Sequence, residues 1–135
     1  MQAARRFKLD KLIRDNWPAD LRERGITVFD RVMEKDEYLK RLKEKLLEEV
    51  NEISAAQTTL ELTEELADLT EVIAGLASFY HISERAIAKQ RKLKKEAKGG
   101  FEKRLYISAI QIDNNNPDIE YYLRRPEAYP ELEPV

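Results

Sequence analysis

The chain has 135 residues, 42% of them apolar and 37% charged, with 24 Lys plus Arg against 26 Asp plus Glu. That length suits a single packed domain, and a charged share well above the usual quarter points to amphipathic helices with solvated outer faces. The formal net charge of -2 argues against nucleic-acid binding driven by bulk charge; the absence of cysteine excludes disulfides and thiolate chemistry; and no apolar run is long enough to span a membrane.

Residues Met1 to Phe7 lack the apolar core of a signal peptide, so the expected setting is cytoplasmic. Residues 5–15 are short, mixed and basic. Asn16-Trp17-Pro18 opens a short helix, because proline suits the first helical position, and Gly25 closes it. Residues 26–33 are rich in β-branched and aromatic side chains and predict an extended piece. Asp36 is the expected N-cap of a long helix whose stripe is Leu39, Leu42, Leu46, Val50 and Ile53. That helix fades near Ala56-Gln57-Thr58-Thr59.

A second long helix begins near Leu60. Leu62, Leu66, Leu69, Val72, Ile73, Leu76, Phe79 and Tyr80 mark its buried side, and it ends near His81. Ser83 caps a third helix bearing Arg91, Lys92, Lys94, Lys95 and Lys98, which Gly99-Gly100 stops. Residues 104–110 alternate loosely and predict a second extended piece, able to pair with 26–33. The division expected is a domain over 1–112 and a proline-broken tail over 113–135, lying on a surface of its own or a partner's.

Chemistry concentrates between Leu46 and Asp68. Glu49 and Glu52 stand three apart on the first long helix, and Glu65 and Asp68 three apart on the second. Residues three apart share a helix side. If the helices run antiparallel, four carboxylates meet in one small volume, where they must take up protons or hold a hard cation such as Mg2+. Structural ion pairs are the competing explanation. Against them, no basic residue lies on the inward side of either helix between Leu46 and Phe79.

Glu48-Glu49-x-x-Glu52 followed by Glu64-Glu65-x-x-Asp68 resembles the motif of the all-α nucleoside triphosphate pyrophosphohydrolases, the MazG-like enzymes and their relatives. Lys11-Leu12-Ile13-Arg14-Asp15 near the start, and Lys94-x-x-x-Lys98-Gly99-Gly100-Phe101-Glu102-Lys103-Arg104 near the end, are similar to a subgroup described as phosphoribosyl-ATP pyrophosphohydrolase-like. The likeness covers residues 8–107, and the tail after Ile112 has no counterpart.

The resemblance implies an all-α, MazG-like helical bundle and hydrolysis of a nucleotide to monophosphate and pyrophosphate, with Mg2+ or Mn2+ held by Glu49, Glu52, Glu65 and Asp68. Glu48 or Glu52, outside the apolar stripe, is the candidate proton acceptor. Lys11, Arg14, Lys94, Lys98 and Arg104 are the candidate phosphate-binding cations; for the run from Lys89 to Lys98 as a whole, a solvated helix face is the plainer account. Nucleic acid is not expected as a partner, since aromatic residues are not interleaved with that run. Trp17 and Phe101 are able to stack on a base, but packing is the default for a lone Trp beside Pro. His81 has no companion ligand, and its position at a helix end suits a cation. A homodimer is expected, because three long helices leave an exposed seam. Two alternatives stay open: a true phosphoribosyl-ATP pyrophosphohydrolase of histidine biosynthesis, and a non-catalytic helical module that binds metal or a partner.

Overall fold

The computed structural model describes residues 3–134. It is all-α: α1 spans Trp17–Glu23, α2 Lys35–Ala55, α3 Thr59–Phe79, α4 Glu84–Lys98 and α5 Ile119–Leu123. The chain falls into two compact units, one up to Ala97 and one from Lys98 onward. The sequence boundary at 112/113 lies inside the second.

Local chemistry sets the helix ends. Arg24 is the C-cap of α1, and Gly25 follows it at φ +79°, which costs glycine nothing. The Ile26 amide then bonds the Leu21 carbonyl at 3.1 Å and the Gly25 amide bonds the Arg22 carbonyl at 3.0 Å, a Schellman closure. The same closure ends α3, where Ile82 bonds Ala77 at 2.8 Å and His81 bonds Ser78 at 3.0 Å. There the left-handed position is taken by His81 itself, at φ +57°. The Thr58 hydroxyl accepts from the Glu61 amide at 3.1 Å, and the Glu61 carboxylate accepts from the Gln57 amide at 2.8 Å, so α3 starts on a near capping box. The Ser83 hydroxyl caps α4 through the Ala86 amide at 3.1 Å, as its position predicts. Helix α2 begins one residue ahead of the expected cap: Glu34 is its N-cap, and Asp36 lies in the first turn.

Neither extended piece becomes a strand, and no strand occurs among the described residues. A strand needs a ladder partner for its amides and carbonyls. Over 26–33 the Val28 carbonyl takes a side-chain donor instead. Arg22 donates to the Val28 carbonyl at 3.3 Å and binds the Asp30 carboxylate. Over 104–110 the chain runs as irregular backbone.

In the first unit, α2 and α3 form an antiparallel hairpin. Tyr38 meets Phe79 with ring centroids 6.0 Å apart, Leu42 lies against Gly75, and Glu49 lies beside Asp68. Each step forward on α2 is thus a step back on α3. Gly75 permits the close approach, since a Cβ there would stand 3.3 Å from Leu42 Cδ2. The core is thin: among the described residues only Leu42, Ala77 and Glu49 are buried. Leu62, Leu66 and Ile73 on α3, Tyr80 at its C-cap, and Leu47 and Val50 on α2, face solvent.

In the second unit, the rings of Tyr121, Tyr122 and Tyr129 lie with centroids 5.0–5.9 Å apart, and the Arg125 guanidinium sits 4.0 Å above the Tyr121 ring.

Candidate metal centre

The charged end of the α2–α3 hairpin is built from helix periodicity. On α2, Lys45, Glu48, Glu49 and Glu52 are spaced by three and four, so they share one side. Glu65 and Asp68 do the same on α3. The antiparallel pairing brings carboxylate oxygens of Glu49, Glu65 and Asp68 within 4.8 Å of one another. Glu49 is 6% exposed, the one charged residue among the described that is buried; Glu65 and Asp68 are half-buried.

Such crowding must be compensated. Burial, and then the charges of Glu52, Asp68 and Glu49, raise the Glu65 carboxyl above its ordinary value. The nearness of Glu49 adds to the same upward shift of Glu65. Glu52 is near enough to act on Glu65 but is not one of the converging three.

Three cations border the acids. Arg14 Nη2 contacts Asp68 Oδ1 at 2.6 Å. Lys11 Nζ reaches Glu48 Oε1 at 3.2 Å. Lys45 Nζ lies 3.2 Å from Glu48 Oε1 and 3.6 Å from Glu49 Oε1. The expectation that the inner carboxylates lack basic neighbours therefore holds only within the stretch from Leu46 to Phe79. The cations arrive from the turn before it and from the segment ahead of α1. Partial burial pushes the Glu48 carboxyl up, but its bonds to Lys11 and Lys45 outweigh that, and the net shift is downward.

Arg14 and Lys11 also border a groove of 760 Å³. Its walls are the segment 11–17, Tyr38, Leu42, Lys45 and Glu49 of α2, and Asp68, Glu71, Val72 and Gly75 of α3. One end is carboxylate, the other aromatic and apolar. Trp17 lines it; Phe101 belongs to the second unit.

The remaining sequence candidates stand elsewhere. Lys94, on α4, borders a separate hollow of 290 Å³ with Ile82 and Ile87. Lys98 and Arg104 are exposed residues of the second unit, Arg104 at φ +55°. Sequence reasoning missed Lys45, whose i,i+3 and i,i+4 spacing to Glu48 and Glu49 was the available signal.

The donor set fits a hard divalent cation. All three converging ligands offer carboxylate oxygen, and an octahedral Mg2+ with bonds near 2.1 Å needs its oxygens about 2.9–4.2 Å apart. Oxygens already within 4.8 Å need only small side-chain rotations to meet that. Comparison with protein-family models, with curated proteins and with solved structures returned no match.

Proposed function

We propose that this chain is a Mg2+-dependent nucleotide pyrophosphohydrolase, of the kind its motifs resemble. It would cleave a nucleoside triphosphate or similar nucleotide to monophosphate and pyrophosphate, with removal of non-standard nucleotides as its role. The observation that carries the reading is the convergence of Glu49, Glu65 and Asp68 from two helices.

In this reading Glu49, Glu65 and Asp68, joined by Glu52, hold the metal. Bound there, a Mg2+ or Mn2+ ion polarises phosphoryl oxygens and offsets developing charge. The chain's own groups do the rest. Lys11 and Arg14 line the groove and would meet phosphate oxygens. Glu52 is the better proton acceptor of the two candidates, because Glu48 is held ionised and weakly basic by Lys11 and Lys45. The apolar end of the groove, with Trp17, Tyr38 and Leu42, suits a base.

The chain works as a homodimer in this proposal. Leu62, Leu66 and Ile73 of α3 and its C-cap Tyr80 repeat at helical spacing along one exposed face, and a second copy is the simplest cover for it. A cytoplasmic setting accords with the absence of cysteine, and no helix of the described residues is long and apolar enough to cross a membrane.

One observation favours a second reading. Arg14 on Asp68 and Lys45 on Glu49 are the pairs expected of a non-catalytic module whose acids are structural. The deciding assay incubates the protein with a nucleotide panel, phosphoribosyl-ATP included, and Mg2+. Pyrophosphate release that Asp68→Asn abolishes supports the enzyme. No release from any nucleotide by the intact protein refutes it.

A further inference from the structure

Arg14 and Asp68 are joined by a single strong contact, Nη2 to Oδ1 at 2.6 Å, in a setting where both side chains are well hydrated, 63% and 40% exposed. A pair this wet contributes little net stability and is readily exchanged. Asp68 is also one of the three converging carboxylates. A divalent cation on Asp68 and the Arg14 guanidinium therefore compete for one charge. Arg14 does not sit on a helix. It belongs to the irregular segment ahead of α1, held at its carbonyl by the Trp17 amide at 3.1 Å, and it lines the groove beside Asp68. Lys11 is placed alike, its ammonium on Glu48 at 3.2 Å and its chain bordering the same groove. Glu48, unlike Asp68, has a second cation in Lys45 and stands outside the converging three.

A bare polyphosphate meets Glu49, Asp68 and Glu71 in this groove and is repelled. A bare divalent cation must first displace Arg14. A metal–polyphosphate chelate escapes both penalties, because the carboxylates take the metal and the displaced guanidinium finds phosphate oxygens. We infer that Arg14 is a coupling residue: it passes from Asp68 to polyphosphate, so that the groove takes a metal–polyphosphate chelate in preference to either component. This rests on the metal reading above. Lys11 is an auxiliary phosphate contact without a role in the competition.

The test is calorimetric titration of the full chain with Mn2+ alone and with the preformed Mn2+–imidotriphosphate chelate, which is not hydrolysed. Arg14→Gln should bind Mn2+ alone about fivefold more tightly than the wild type and the chelate about fivefold more weakly. The opposite signs are the signature. Lys11→Gln should weaken chelate binding alone and leave Mn2+ affinity unchanged; Arg14→Lys, which keeps the charge but loses the guanidinium fork, serves as the second variant should Arg14→Gln not fold, with the same opposite signs at smaller amplitude. If Arg14→Gln leaves both affinities unchanged, or moves both in one direction, the coupling role is overturned while the metal site stands. If the wild type binds neither ligand, the metal reading falls with it.

Discussion

Replacing Glu49 by Gln separates a metal ligand from a structural anion. The side chain is 8% exposed, and its ion-pair partner is Lys45 at 3.6 Å. Were that pair structural, its loss would cost about 3–5 kcal/mol, the usual result of breaking a buried pair. Two features reduce the cost. Lys45 keeps Glu48 at 3.2 Å and so is not stranded, and the variant removes one of three crowded carboxylates. The expected loss in EDTA is therefore about 1 kcal/mol or less, a Tm change within about 8 °C for a unit of this size.

The metal response should change far more. At ten times its dissociation constant a cation adds about 1.4 kcal/mol to the wild type, or roughly 6–11 °C in Tm. Glu49→Gln should show none of that rise at the same concentration. Thermal melts followed by circular dichroism, in EDTA and in Mn2+, read both quantities. A variant that loses 3 kcal/mol or more in EDTA yet keeps the wild-type response to Mn2+ would refute the reasoning, as would a wild type with no response.

Three other substitutions probe the acid chemistry, the core and the exposed face. Glu65 binds its proton more tightly folded than unfolded, so its stabilising contribution is full below the ordinary value of 4.5 and is lost as pH rises through the raised folded value. Glu65→Gln in EDTA should thus flatten the decline in Tm above pH 4.5, and parallel curves for variant and wild type would show the carboxyl to be unstrained. Leu42 is 3% exposed and packs on Gly75 at the hairpin seam, so Leu42→Ala should cost about 2–5 kcal/mol by urea denaturation; a loss below 1 kcal/mol would mean the seam collapses to fill the gap. Leu66→Glu places a charge on the exposed stripe of α3, and sedimentation should show the wild-type dimer replaced by monomer, while a monomeric wild type would remove the dimer from the proposal.

The hairpin was legible because period 3.6 is a strong signal over twenty residues. The stripe through Leu42, Leu46 and Ile53 placed α2, and its acids one turn apart fixed which side Glu49 and Glu52 share. The turns were legible where a glycine or serine marked them, at Gly25 and Ser83. The start of α3 was written in Thr58-x-x-Glu61, yet the β-branched pair Thr58-Thr59 drew attention to the turn and away from the cap. The stretch 26–33 misled because β-branched content measures fit to a pleated surface, and no neighbouring edge supplies one. The cations of the site were the least legible. Their pairing spans 37 residues for Lys11 and Glu48 and 54 for Arg14 and Asp68, and no local pattern encodes a contact of that range.

The origin of those cations also separates the two readings of the acidic end. A structural network between helices is made most simply by placing Lys or Arg on the facing helix, as e and g positions do in paired helices. Helix α3 carries no basic residue from Thr59 to Phe79, and α2 carries none after Lys45. The hairpin therefore closes tightly at Leu42 and Gly75, while seven residues further along α2, about 10 Å away, it presents like charge to like charge. Lys45 and Arg14 offset part of this, and the Glu65 carboxyl is still raised above its ordinary value. A cation bound there joins α2 to α3 at the end their own side chains hold least well, so its binding free energy becomes pairing free energy for the hairpin. With only Leu42 and Ala77 as buried apolar side chains among the described residues, that contribution is large beside the core, which is why metal should register in stability before it registers in any reaction.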